Sequence, residues 1–426
     1  MAGRKLELAE TIRTALAKPE AADLAASLEP WDDQELTLED AQGLVAVLAE
    51  IIDVQPLIDT VIYGETATPL QTLAILFQNE SSDDATRLLR DRGMTELVRL
   101  FDAAIAVPKC PAEAIMCVCK MFAVYVSNPG LERVVTAVRR FPDEYMWEIV
   151  FGVYADEGHP LTTALIDKLR DPLPTEFAAV AYLDLVNDAA REKRIDAHPF
   201  DTEEGHNRLE AWLVDSALGD FSYAHSAAAA LPFIESKARN SLAALAMDHP
   251  DTGVQIEAAW ASAYRGSTAG VTYLARVCED PHHSIRAQRY LEELGHADRV
   301  PPSALEPDFQ ALAQMCQWLS HPNEFGGPPT DVTLYDTREL DWPPTNDRRR
   351  VWLFKWTYTG RNEDGTDEEG LGMVGSITFA LFGETTADTS AEDAYAIHCC
   401  WELDVNDDPR APTKRSAQAG RKLLGI

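Results

Sequence analysis

The chain has 426 residues, 46% hydrophobic and 25% charged, and its 70 Asp and Glu against 37 Lys and Arg give a formal net charge of −33. This excludes a disordered chain, a collagen-like chain and a disulfide scaffold, since there are only 23 Gly and 7 Cys. Neither nucleic acid nor an anionic membrane surface is an expected partner, because both are bound through clustered Lys and Arg.

The opening MAGRKLELAETIR turns polar where the apolar core of a secretory signal should begin, so no such signal is expected. From there to residue 319, apolar residues recur at three- and four-residue steps, broken by Pro, Gly or Asp-rich turns, which is the pattern of short amphipathic helices. Around 81–105, Ser81 and Asp84 have capping-box spacing, Gly93 reads as a stop, and Met94, Leu97, Val98, Phe101 and Ile105 begin a second apolar face. That spacing predicts a helical hairpin.

The longest apolar stretch, Ala114 to Val126, is 13 residues long and contains Lys120, too short to span a bilayer. It reads as a buried helix, with Cys117 and Cys119 as small core residues. Seven Cys, an odd number without a regular framework, fit reduced thiols in a cytoplasmic protein. Further helical faces fall at Leu161, Leu165, Ile166 and Leu169, at Phe177, Val180, Ala181 and Leu183, and at Leu209, Trp212 and Leu213.

An internal similarity follows. Aligning Pro250 with Pro281, an offset of 31 residues, lays Asp248 over Glu279, Val254 over Ile285, Trp260 over Leu291 and Ala263 over Leu294. An acidic residue and a Pro occupy the turn, a β-branched residue opens the next helix, and apolar residues stand where helices touch. Over about 238–296 the chain resembles the HEAT family of α-helical repeats, in which such turns precede a helix of the form Val-Arg-x-x-Ala. Ile285 and Arg286 follow that form, while Ala287 comes two residues after Ile285 rather than further on. The spacing is shorter than the roughly 40–47 residues of long HEAT units and is similar to the compact HEAT-like repeats of phycobilisome lyases. The resemblance implies an α-α superhelix, with protein partners or lyase chemistry as its uses.

After a closing helix containing Leu305, Phe309, Leu312, Met315, Cys316 and Leu319, the run HPNEFGGPPT reads as a linker. Periodicity then switches to two. Val351 to Tyr358 places Trp352, Phe354, Trp356 and Tyr358 on one face and Val351, Leu353, Lys355 and Thr357 on the other. Gly375 to Phe382, Ala394 to Leu403 and Val332 to Tyr335 are further strand candidates. The expected fold class is α+β, mainly α: a solenoid over 1–319, a linker over 320–330, a small antiparallel β domain over 331–405 and a basic tail over 406–426, with Arg410, Lys414, Arg415, Arg421 and Lys422.

Each candidate site residue also has a plainer structural role. His398 and Cys399 adjoin, but on a strand they point to opposite faces, which disfavours a nucleophile–base pair. Asp280, His282 and His283 in one repeat turn, and His249 and Asp251 in the preceding one, suggest a binding edge or helix capping. Glu363, Asp364, Asp367, Glu368 and Glu369 carry oxygen ligands but lack the EF-hand order, so a solvated hairpin tip is expected. Trp352 and Trp356 would line a groove or form core. Arg348, Arg349 and Arg350 lack the Gly-rich loop of a phosphate site. No catalytic set, cofactor or metal is assigned.

The expected function is a protein-interaction scaffold whose acidic surface selects a basic segment of another protein. A HEAT-like lyase and a regulatory module with its tail docked on itself are the alternatives. The sequence leaves the oligomeric state open.

Overall fold

The computed structural model describes residues 8–17, 24, 27–28, 31, 34–59, 61–63, 65–214, 223–235, 237–321, 327–362, 364–381, 388–404 and 414–426. It is mainly helical, with a small antiparallel sheet near the C-terminus. Among the described residues no helix is long and apolar enough to cross a membrane. The chain forms two compact units, Met1–Trp212 with Phe233–Arg239, and Leu213–Pro232 with Asn240–Ile426.

The first unit contains α1 (Leu8–Leu16), α2 (Leu38–Glu50), α3 (Pro69–Ile75), α4 (Asp83–Leu88), α5 (Met94–Ile105), α6 (Glu113–Val124), α7 (Asn128–Arg140), α8 (Met146–Ala155), α9 (Thr162–Leu169) and α10 (Glu176–Arg191). A short hairpin, β1 (Val61–Tyr63) with β2 (Glu65–Ala67), interrupts them where no strand was expected. The predicted faces are buried: Leu165, Ile166 and Leu169 on α9, and Phe177, Val180, Ala181 and Leu183 on α10. The helix containing Cys117 and Cys119 is buried almost all round.

The predicted hairpin at 81–105 is corrected. Ser82 caps α4, its hydroxyl accepting the Ala85 N–H at 3.4 Å. Gly93 does not stop the helix. The backbone passes from α4 through a π turn, Leu89–Gly93, into α5, with Gly93 at φ −59°. The glycine is there for close approach: a Cβ would lie 2.7 Å from Phe77 Cε1.

Side chains link segments one helix pair apart. Arg133 pairs with Asp102 at 2.6 Å, Arg140 donates to the Val107 carbonyl at 2.7 Å, and Lys168 pairs with Glu132 at 2.6 Å. These residues stand 31, 33 and 36 positions apart. Arginines also close helix C-termini: Arg99 donates to the Leu48 and Ile51 carbonyls at the end of α2. Among the described residues, three His-Pro turns recur, at His159, His198 and His249. In each, the histidine Nδ1 accepts the N–H two residues on, at 3.3, 3.3 and 3.1 Å.

In the second unit, α11 (Thr252–Tyr264), α12 (Thr268–Val277) and α13 (Ser284–Glu293) contain the segments aligned at 31 residues, with Trp260 and Leu291 both buried. Next comes α14 (Pro307–Leu319), then a meander of β3 (Asp331–Trp342), β4 (Asp347–Tyr358), β5 (Glu368–Val374) and β6 (Thr378–Leu381). The alternation of β4 places its residues on the predicted faces, and both faces enter a core where one covered face was expected. Phe354, Trp356 and Tyr358 meet Ala311, Met315 and Leu319 of α14, while Val351 and Leu353 meet Tyr395 and Ile397. The sheet thus shares a core with the preceding helix.

The strand predicted at Ala394 to Leu403 is instead α15 (Ala391–Glu402), started by Ser390, whose hydroxyl accepts the Asp393 N–H. This helix is buried on nearly every side, so its apolar residues carry no helical stripe, and the alternation of Tyr395, Ile397 and Cys399 was accidental. Strand β5 was missed because Gly370 and Gly372 dilute its pattern. A Cβ at Gly370 would lie 2.3 Å from Trp356 Cζ2, and one at Gly372 would lie 2.5 Å from Met315 Sδ. Of the basic tail, the described part from Lys414 is helix α16 (Lys414–Leu424), with Ser416, Ala417 and Gly420 buried, and Arg421 pairs with Asp393 at 2.7 Å.

Candidate partner-binding groove

Most residues singled out from sequence are engaged locally. Asp251 Oδ1 accepts the Gly253 N–H at 2.6 Å, capping α11, and lies 3.2 Å from His225 Nε2; these bonds hold its carboxyl well below the usual range. Asp280 Oδ1 accepts the His282 N–H at 3.0 Å, and burial pushes the His283 imidazole down. Among the described residues no group of three or more His, Cys, Asp or Glu is placed to hold a metal.

At the tip between β4 and β5, Asp364 accepts the Thr366 hydroxyl and N–H, and Asp367 accepts the Gly360 N–H. Glu368 faces Arg361 at 3.6 Å, Glu369 is exposed, and Glu363 lies outside the described residues. This is a self-bonded hairpin tip. Trp356 is buried, while Trp352 donates its indole N–H to Asp308 at 2.8 Å, so neither lines an open groove.

The cysteines are buried, and burial pushes the Cys399 thiol up to about 12. His398 and Cys399 are consecutive on a helix rather than a strand, and consecutive helical residues still do not face each other. His398 Nε2 instead meets Glu402 Oε1 at 2.8 Å. The same carboxylate accepts from the Ser376 hydroxyl and the Trp342 indole, tying α15 to the sheet.

An open concave surface lies elsewhere, in the first unit. At the end of α6 the Ser127 N–H bonds back to the Phe122 carbonyl and the Val126 N–H to the Ala123 carbonyl, both at 2.9 Å, so residue 126 takes the left-handed conformation, φ 53°. Ser127 then caps α7, its hydroxyl accepting the Gly130 N–H at 3.1 Å. The same back-bonded turn ends α10, α11 and α13, with Lys193, Gly266 and Gly295 at the left-handed position. Glycine meets no Cβ penalty there; a β-branched residue bears a cost of about 1–2 kcal/mol. Val126 is 37% exposed, so tight packing does not account for it.

Val126 forms one wall of a cavity of about 720 Å³, with Met94, Val98 and Pro129 as apolar lining and Arg90 and Asp91 from the π turn. A second concavity of about 400 Å³ shares Arg90 and Tyr125 and extends to Gln78 and Lys120. Tyr125 fixes the partition between them: its hydroxyl donates to the Phe77 carbonyl at 2.9 Å and its ring meets Phe77 edge-on at 6.0 Å. Burial pushes its phenol up, and the Arg90 charge opposes that shift. Neither lining includes a Cys or His. The arrangement can hold a ligand by shape, apolar contact and charge, and it offers no nucleophile–base pair.

Comparison with protein-family models, curated proteins and solved structures finds no match to this chain.

Sequence reasoning missed the groove. A π turn has no composition signature, and valine is among the last residues to suggest a left-handed backbone. The His-Pro pairs at His159, His198 and His249 are a legible signal of recurring helix starts.

Proposed function

We propose that the protein is an interaction scaffold built on HEAT-like stacked helix pairs, and that the groove around Val126 holds its protein partner. The observation that carries the reading is the left-handed Val126, a β-branched residue exposed on a groove wall, where equivalent turns of the same chain use glycine or the unbranched Lys193. Such strain persists where it shapes a functional surface. The adjoining π turn, a feature concentrated at functional sites, supports the same reading. The links 31–36 residues apart support stacked repeats as the framework. The lyase reading would need reactive groups converging in one cavity, and these two linings favour holding over chemistry.

The test places a photo-crosslinking amino acid at Val98 and, as a control, at Leu305, which is 56% exposed. The expected result is a defined protein captured from Val98 alone. That protein, once purified, should bind the full chain and lose affinity when Thr95→Arg fills the groove. Capture from both positions, or binding indifferent to Thr95→Arg, would overturn the proposal.

A further inference from the structure

We infer that the groove recognises a polypeptide segment in which an acidic side chain adjoins aliphatic ones, the carboxylate lying between Arg90 and Lys120. The inference rests on the groove reading above and adds the chemistry of the occupant.

Cations are scarce in this chain, and those near the groove in sequence are mostly consumed. Arg87 pairs with Asp84, Arg99 with Glu96, and Arg133 with Asp102. Arg140 is spent on helix-end carbonyls. Arg90 and Lys120 differ. Among the described residues Arg90 has no ion pair, and Lys120 donates at 2.7 Å to the neutral amide oxygen of Gln78. Both line the second concavity, whose lining contains no Asp or Glu. A surface that leaves two cations facing one hollow, in a molecule of net charge −33, is complementary to an anion there.

The first concavity supplies the other half of the specificity. Met94, Val98, Val126 and Pro129 offer contacts for aliphatic side chains, and Arg90 and Tyr125 belong to both hollows, so one continuous segment can occupy both. Asp91 lines the first hollow and not the second, which sets a direction: the carboxylate belongs at the Lys120 end and is repelled from the Asp91 end. This occupant is opposite in charge to the basic segment expected from the net charge, because recognition here follows the local wall.

The experiment pans a phage-displayed library of random peptides against the full chain. Enriched peptides are then synthesised, labelled and titrated by fluorescence anisotropy against the parent protein, Arg90→Glu/Lys120→Glu and Arg90→Gln/Lys120→Gln. Both side chains project from the surface, and unchanged circular dichroism and melting would show that the variants fold. The expected result is Asp or Glu beside Leu, Ile, Val or Met, with affinity reduced about tenfold or more by the Glu pair and less by the Gln pair. Enrichment of basic peptides, or affinity insensitive to both pairs, would overturn the inference. If such peptides still crosslink from Val98, the groove reading survives and only its chemistry falls; if nothing crosslinks from Val98, the groove reading falls with it. Concentration-dependent self-association abolished by Thr95→Arg would make a second copy the occupant and also overturn it.

Discussion

Replacing Val126 by alanine and by glycine isolates the strain assigned to this position. Both substitutions remove the same side-chain contacts apart from one methyl group, so their difference reports mainly on backbone conformation. In a right-handed helix interior, glycine is less stable than alanine by about 1 kcal/mol. At φ 53° the order reverses, because glycine alone escapes the Cβ clash. V126G should therefore be more stable than V126A by about 1 kcal/mol, whereas in α5 Ala103→Gly should destabilise by a similar amount. Urea unfolding followed by circular dichroism reads each difference, and in a domain of this size 1 kcal/mol corresponds to a melting shift of about 2–4 °C. If V126G proves less stable than V126A by as much as Ala103→Gly falls below its parent, residue 126 is not left-handed and the strain argument fails.

Three further outcomes follow from the geometry. Burial outweighs the nearby Asp201 carboxylate at His198 and lowers its pKa to about 3. The unfolded chain therefore binds a proton that the folded chain refuses between about pH 6.5 and about 3, and stability falls as pH is lowered through that window, by up to about 1.4 kcal/mol per unit. His198→Gln should remove one proton from that slope in pH-dependent denaturation; an unchanged slope would place the neutral histidine elsewhere. Truncation after residue 409 should lower the melting temperature of the second unit, because α16 buries Ser416 and Ala417, and unchanged melting would leave the helix without a structural role. Gly370→Ala should cost about 1–3 kcal/mol in urea unfolding, since its Cβ would meet Trp356 at 2.3 Å; a neutral effect would contradict that close approach.

Much of the architecture was legible where one side of an element faces water. The stripe on α9 separates a buried from a wetter side, so its period appears directly in the sequence, whereas β4, buried on both faces, was legible from its alternating aromatic residues. Legibility failed where that contrast disappears. Helix α15 is apolar around its circumference and imitated a strand, while β5 needs Gly370 and Gly372 to admit Trp356 and Met315. Gly93 resembled a helix stop because a glycine placed for close approach and one placed for a left-handed cap look alike in sequence. The groove was the least legible feature. Its shape depends on Val126 in a conformation contrary to its type, and Arg90 and Lys120 meet only through folding.

Hydrogen exchange of the full chain, with and without the purified protein captured at Val98, tests the central claim most directly. The account predicts slowed exchange over residues 89–98 and 120–130, the π turn, the start of α5 and the junction of α6 with α7, and no comparable slowing with Thr95→Arg. Protection confined to the 360–370 hairpin or to the turns at Asp251 and Asp280, with the Val126 region unchanged, would contradict it.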